Sequence, residues 1–183
     1  MTRLRTYTED RPDQVRFYSS DFAAIQAHLR GAGVRFERWQ ANADIRPGDT
    51  QDAVIAAYRA DIDRLMAEAN YQAVDVISLT PEHPDKAALR QKFLNEHTHA
   101  EDEVRFFVAG RGLFTLHLGE EVFEILCEKD DLIGVPAGTR HWFDMGPEPH
   151  FVAIRVFTNP AGWVANFTGD EIASRFSRLE ASP

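Results

Sequence analysis

The chain has one cysteine, Cys127, in 183 residues. That excludes an internal disulfide and suits a reducing cytoplasm. No apolar run approaches the length needed to cross a bilayer, so no membrane role is expected. The first ten residues, Met1 to Asp10, lack the apolar core of a secretory signal. A basic stripe is also missing. Lys and Arg number 20 against 29 Asp and Glu, the net charge is −9, and the pI is about 5.2. Such a surface disfavours nucleic acid as a partner. There are no internal repeats, low-complexity tracts or obvious linkers. One domain spanning 1–183 is therefore expected, in a cytoplasmic protein long enough to bury a substantial core.

The part that is present divides by texture into an N-terminal flank (1–85), a central portion (86–157) and a tail (158–183). Asp21 precedes an apolar-periodic stretch with Phe22, Ile25 and Leu29, closed by Gly31 and Gly33, which reads as a capped short helix. Val34 to Trp39 alternates apolar and charged residues, a strand with one buried face. Thr50 or Asp52 opens a longer helix running to about Glu68. Ile55, Tyr58, Ile62, Leu65 and Met66 give it one apolar stripe, expected to pack outside a barrel. From Ala73 the pattern becomes β, and Lys86 to Leu94 reads as a short helix. The runs Val104–Val108, Leu113–Leu118, Val122–Cys127, Asp131–Val135 and Phe151–Phe157 then read as strands of an antiparallel barrel. Gly110-Arg111-Gly112 and Gly119-Glu120-Glu121 are expected hairpin turns, and Trp163 to Arg178 an expected helical tail.

Chemistry concentrates in His97, His99 and Glu103, with His141 on a separate segment. Side chains alternate along a strand, so His97 and His99 point the same way. Three imidazoles and a carboxylate suit iron, nickel, cobalt, manganese or zinc better than calcium or magnesium. Four protein ligands would leave about two octahedral positions open, as a catalytic rather than a structural site requires. Arg105, two residues past Glu103, shares that face and offers a permanently charged guanidinium to oxyanions. His28, His83, His117 and His150 carry no such pattern. Cys127 reads as a small buried hydrophobe.

The spacing from His97 to Gly110, followed by Pro136, Gly138 and His141, resembles the two motifs of the cupin superfamily. Gln91, Asp130 and Met145 stand where that family often has Gly, Gly and Asn, departures that concern loop shape and not ligands. The text Phe93-Leu94-Asn95-Glu96-His97-Thr98-His99-Ala100-Glu101-Asp102-Glu103-Val104-Arg105-Phe106 is similar to the acireductone dioxygenases of methionine salvage. So is the text Gly134 to Asp144.

That resemblance implies a mainly β fold with flanking helices, a cupin-type double-stranded β-helix (jelly-roll) barrel. It implies one Fe(II) or Ni(II) per chain on His97, His99, Glu103 and His141, with Arg105 helping to form the substrate dianion. The implied substrates are 1,2-dihydroxy-3-keto-5-methylthiopentene and O2. Iron gives formate and 4-methylthio-2-oxobutanoate; nickel gives formate, carbon monoxide and 3-methylthiopropanoate. The resemblance assigns Glu96 and Asp102 to metal incorporation or conformational coupling and suggests a monomer. Phe93 and Phe143 are candidates for an apolar wall around the methylthio tail, or for barrel packing. Another cupin oxygenase or isomerase, and a non-catalytic small-ligand-binding cupin, are the competing readings.

Overall fold

The computed structural model describes residues 1–161 and 163–180. Its organising element is one long strand. Along it, Glu103, Arg105 and Phe107 face one way and Val104, Phe106 and Val108 the other, the alternation that the pleat imposes.

In chain order the elements are β1 (Arg3–Thr8), β2 (Phe17–Ser19), α1 (Phe22–Gly31), β3 (Arg35–Arg38), α2 (Gln51–Ala57), α3 (Arg59–Glu68), β4 (Ala73–Leu79) and α4 (Lys86–Leu94). They continue as β5 (His97–Thr98), β6 (Glu103–Leu118), β7 (Glu121–Glu128), β8 (Asp131–Val135), β9 (Arg140–Asp144), β10 (Phe151–Phe157) and β11 (Asn166–Phe167). A single 3-10 turn, Ile172–Arg175, follows. The architecture is a cupin-type β-barrel with peripheral helices, as expected. No helix among the described residues is long and apolar enough to cross a membrane.

β6 belongs to both walls of the barrel. Its first half pairs with β8 and β10, and its second half with β7 and β9. Gly110 marks the change. Its φ of 67° lies in the left-handed region, and a Cβ there would sit 1.9 Å from the carbonyl oxygen of His150. The hairpin expected at Gly110-Arg111-Gly112 is therefore absent: the glycines bend one continuous strand from one sheet into the other. The second expected turn is present, with Gly119 at φ 63° between β6 and β7. Asp130, where cupins often carry Gly, itself adopts φ 81°. Its carboxylate accepts the Ala41 N–H at 2.9 Å, so the departure from glycine keeps the loop's shape.

The interior cluster takes Phe107, Phe114, Ile133, Phe143, Phe151 and Ala153. A second cluster lies outside, where Val54, Tyr58, Ile62 and Leu65 cover Phe106, Val152, Ile154 and Val156. The apolar stripe on the helices packs there as expected. The helix itself is broken at Tyr58 (φ −111°, ψ 24°), so one expected helix is two. Asp21 and Thr50 cap α1 and α2, accepting from Ala24 N at 2.8 Å and Ala53 N at 3.3 Å.

The expected helical tail is a correction. After β11, Gly169 turns at φ 78°. Thereafter the N–H groups of Ile172, Ser177 and Leu179 are taken by the carboxylates of Asp170, Glu124 and Asp144. A helix would need those donors for its own ladder.

Replacing Gly110 by Ala is expected to destabilise the fold by roughly 2–4 kcal/mol. The corresponding loss of melting temperature is about 5–15 °C. An unchanged melting curve would contradict the role given to the bend.

Candidate metal centre

Two short strands and the start of a long one bring the motif residues together. His97 on β5 and His141 on β9 are direct cross-strand partners, so their rings share a face. His99 follows β5, and Glu103 opens β6. Ring centroids lie 4.3 Å apart for His97 and His141, 4.9 Å for His99 and His141, and 5.2 Å for His97 and His99. One ligand atom from each of the three histidines falls within 4.8 Å of the others. All three rings and the Glu103 carboxylate are buried.

Each imidazole is oriented by its second nitrogen. His97 Nδ1 donates to Asn95 O at 2.8 Å, His99 Nδ1 to Val164 O at 2.6 Å, and His141 Nδ1 to Thr139 O at 2.8 Å. In the neutral ring this fixes the proton on Nδ1 and leaves Nε2 with a bare lone pair. His99 Nε2, His141 Nε2 and Glu103 Oε2 are buried without a hydrogen-bond partner. Moreover, Glu103 Oε2 stands 3.0 Å from His99 Nε2. Buried lone pairs facing one another need a cation, and this donor set fits a first-row transition metal.

Electrostatics agree with that fit. Burial depresses the pKa of His97 to about 4 and that of His141 to about 3. Both rings are thus neutral and ligand-ready at neutral pH. Burial pushes the Glu103 carboxyl upward, but the guanidiniums of Arg105 and Arg155 hold it well below its usual range. Arg105 Nε and Nη2 both donate to Glu103 Oε1, at 3.1 and 2.8 Å. Its partner is thus the buried Glu103 carboxylate. Its guanidinium carbon lies 4.7 Å from the Phe114 ring centre and 4.8 Å from that of Phe143.

The other expected residues fall into two groups. Phe93 and Phe143 do meet, with centroids 6.3 Å apart, and Phe143 also packs on Phe107, Phe114 and Phe151. Gly112 makes room for this, since a Cβ there would lie 2.2 Å from the Phe143 ring. Glu96 turns away from the three histidines. Its carboxylate pairs with His117 Nδ1 at 2.7 Å and accepts from Thr168 Oγ1 at 2.8 Å. Asp102 is exposed, and its carboxylate accepts the Ala137 N–H at 2.8 Å, tying the start of β6 to the turn before His141.

Sequence reasoning missed Trp163, Val164 and Arg155. The Trp163 ring lies 5.8 Å from His97, 5.7 Å from His99 and 6.1 Å from Phe93, closing the site on one side. Nothing in its local sequence marks it. Arg155 did carry a signal: it is a charge inside the otherwise apolar run Phe151–Phe157, and such residues are rarely buried without purpose.

The fold and these side chains define a cupin whose barrel holds a three-histidine metal site. Comparisons with known proteins make the class specific. The profile of the ARD/ARD' family matches residues 3–165. An acireductone dioxygenase of Pseudomonas fluorescens (strain Pf0-1) is 61% identical over 180 residues, 98% of this chain and 99% of that one. One from Stenotrophomonas maltophilia (strain K279a) is 61% identical over 178 residues, 97% of this chain and 96% of its own. The solved structure of acireductone dioxygenase from Bacillus anthracis with cadmium ion in the active center superposes with a TM-score of 0.79. It is 30% identical, and the match covers 91% of this chain and 98% of that one. This chain belongs to the acireductone dioxygenase family.

In the unfolded chain both imidazoles take up protons near pH 6.5, whereas in the fold they resist to about 4 and about 3. Acid therefore favours unfolding, and the penalty grows as pH falls from 6.5 towards those values. The melting temperature of the metal-free protein should drop between pH 7 and 4.5, and less steeply in His141→Gln. Parallel pH profiles for the two proteins would contradict the assignment.

Proposed function

We propose that the chain is a metal-dependent dioxygenase cleaving the acireductone 1,2-dihydroxy-3-keto-5-methylthiopentene with O2. One Fe(II) or Ni(II) per chain would be held by His97, His99, Glu103 and His141. The observation that carries this reading is three histidine ligand atoms within 4.8 Å of one another in a member of this family, with His99 Nε2, His141 Nε2 and, 3.0 Å from His99 Nε2, Glu103 Oε2 buried and unpartnered. When bound, the ion would supply Lewis-acid chemistry toward the enediol oxygens.

The chain's own residues do the remainder. The backbone carbonyls of Asn95, Thr139 and Val164 hold the three rings with Nε2 presented. Arg105, fixed by Glu103 and by two aromatic rings, keeps a buried Nη1 without a partner. That donor favours the deprotonated enediol, because a guanidinium stays charged and binds oxyanions strongly. Phe93, Phe143 and Trp163 form an apolar surface suited to a methylthio tail and to excluding water. Asp102 positions the turn that carries His141, and Glu96 anchors the segment before His97 to the C-terminal region through Thr168. These two contacts support the role in metal uptake or conformational coupling that the family resemblance implies.

The products follow the metal: 4-methylthio-2-oxobutanoate and formate with iron, 3-methylthiopropanoate, formate and carbon monoxide with nickel. The reading places the enzyme in the cytoplasm as a monomer, with acireductone and O2 as its small-molecule partners. The acidic surface and the single buried thiol of Cys127 support that setting.

Arg105→Ala is expected to retain metal while losing about 10²–10³-fold in turnover. Metal analysis, enediol absorbance and carbon monoxide release from iron- and nickel-loaded protein measure it. An undiminished rate would remove Arg105 from the chemistry. Loss of the enediol no faster than its spontaneous rate with metal-loaded wild type would overturn the function itself.

A further inference from the structure

A row of three charged residues crosses the inner face of one barrel wall. Asp75 on β4 faces Arg155 on β10, and Arg155 faces Arg105 on β6. Directly opposed residues share a face, so Arg155 lies on the same interior surface as Arg105. The two arginines are held alike. Arg105 spends Nε and Nη2 on Glu103. Arg155 spends Nε and Nη2 on the two carboxylate oxygens of Asp75, at 2.8 and 2.7 Å. In both, Nη1 is buried and has no partner. Both side chains are more than nine-tenths buried, at 2% and 6% exposure.

Arg155 also borders the three-histidine site. Its guanidinium carbon lies 5.4 Å from the ring centres of both Phe157 and Trp163. Those same rings face His99 at 6.2 and 5.7 Å. Two buried guanidiniums side by side repel, and a free donor on each is costly to leave unpaired. An anion shared between them relieves both penalties. With a divalent ion among neutral imidazoles, Glu103 and Asp75 balance the two arginines. The ion's own charge is then left to match an enediolate dianion.

We propose that Arg155 is a second substrate-binding guanidinium, its Nη1 joining that of Arg105 on the anionic oxygens of the enediolate. This inference rests on the function proposed above. It assigns Arg155 to the grip on the bound substrate rather than to the folding of the barrel or to metal capture.

The test is titration of acireductone into metal-loaded protein under argon, followed by the enediol absorbance, with Arg155→Gln beside wild type. The expected result is about tenfold or more weaker binding. In air, KM should rise in step while metal content stays at one per chain. The double variant Asp75→Asn/Arg155→Met leaves no unpaired buried charge and carries the same expectation should the single variant fold poorly. Wild-type affinity and KM in a folded variant would overturn the inference while leaving the function standing. So would a loss confined to metal content and melting temperature. Wild type that neither binds nor consumes acireductone would overturn both.

Discussion

The Glu103 carboxylate is wholly buried and ionised, and much of the surrounding structure answers to it. A carboxylate out of water costs several kcal/mol unless its lone pairs are matched. Arg105 matches one oxygen from the same strand face. The other oxygen meets His99 Nε2, an atom that cannot satisfy it in the tautomer fixed by Val164 O. The unmatched half of this carboxylate, beside three imidazoles, is what makes the packed barrel a candidate cation site.

The barrel serves that requirement by dividing labour along β6. Its first half points charge inward and apolar side chains outward, where α2 and α3 cover them. A sheet buried on both faces can hold charged residues only where each has a partner across the strand or along it. Glu103, Arg105, Arg155 and Asp75 meet that condition with one another, and two donors are left over. Past Gly110 the same strand joins the other wall, where Phe114 stacks on His141 at 12° and 5.6 Å. Bending one strand, rather than closing a hairpin, places the Glu103 carboxylate and the aromatic ring stacked on His141 on one continuous segment.

Much of this was legible in the chain itself. Ligation needs particular atoms at particular spacings, so His97, His99, Glu103 and His141 stand out against any background, and period-two alternation marked the strands around them. The misreadings have physical causes. A glycine pair between apolar runs is the same local signal for a hairpin and for a bend between sheets; only the pairing partners of β6 decide. Ile172, Phe176 and Leu179 are spaced as on a helix, yet carboxylates from distant strands take the backbone donors that a helix would use. Trp163 and Val164 were invisible because an aromatic ring and a carbonyl carry no motif, and they reach the site from about sixty residues beyond His99. Glu96 was legible as a carboxylate beside a ligand, while its burial against His117 and Thr168 depended on segments remote in sequence.

The central claim is that three Nε2 atoms and Glu103 Oε2 together hold one ion. Its most direct test is a crystal structure of the protein loaded anaerobically with Fe(II) or Ni(II), with the metal located by anomalous scattering. The account predicts one ion at about 2.0–2.2 Å from the Nε2 atoms of His97, His99 and His141 and from Glu103 Oε2, with each Nδ1 still on its backbone carbonyl. An ion bound through Nδ1, or seated without Glu103, would contradict it.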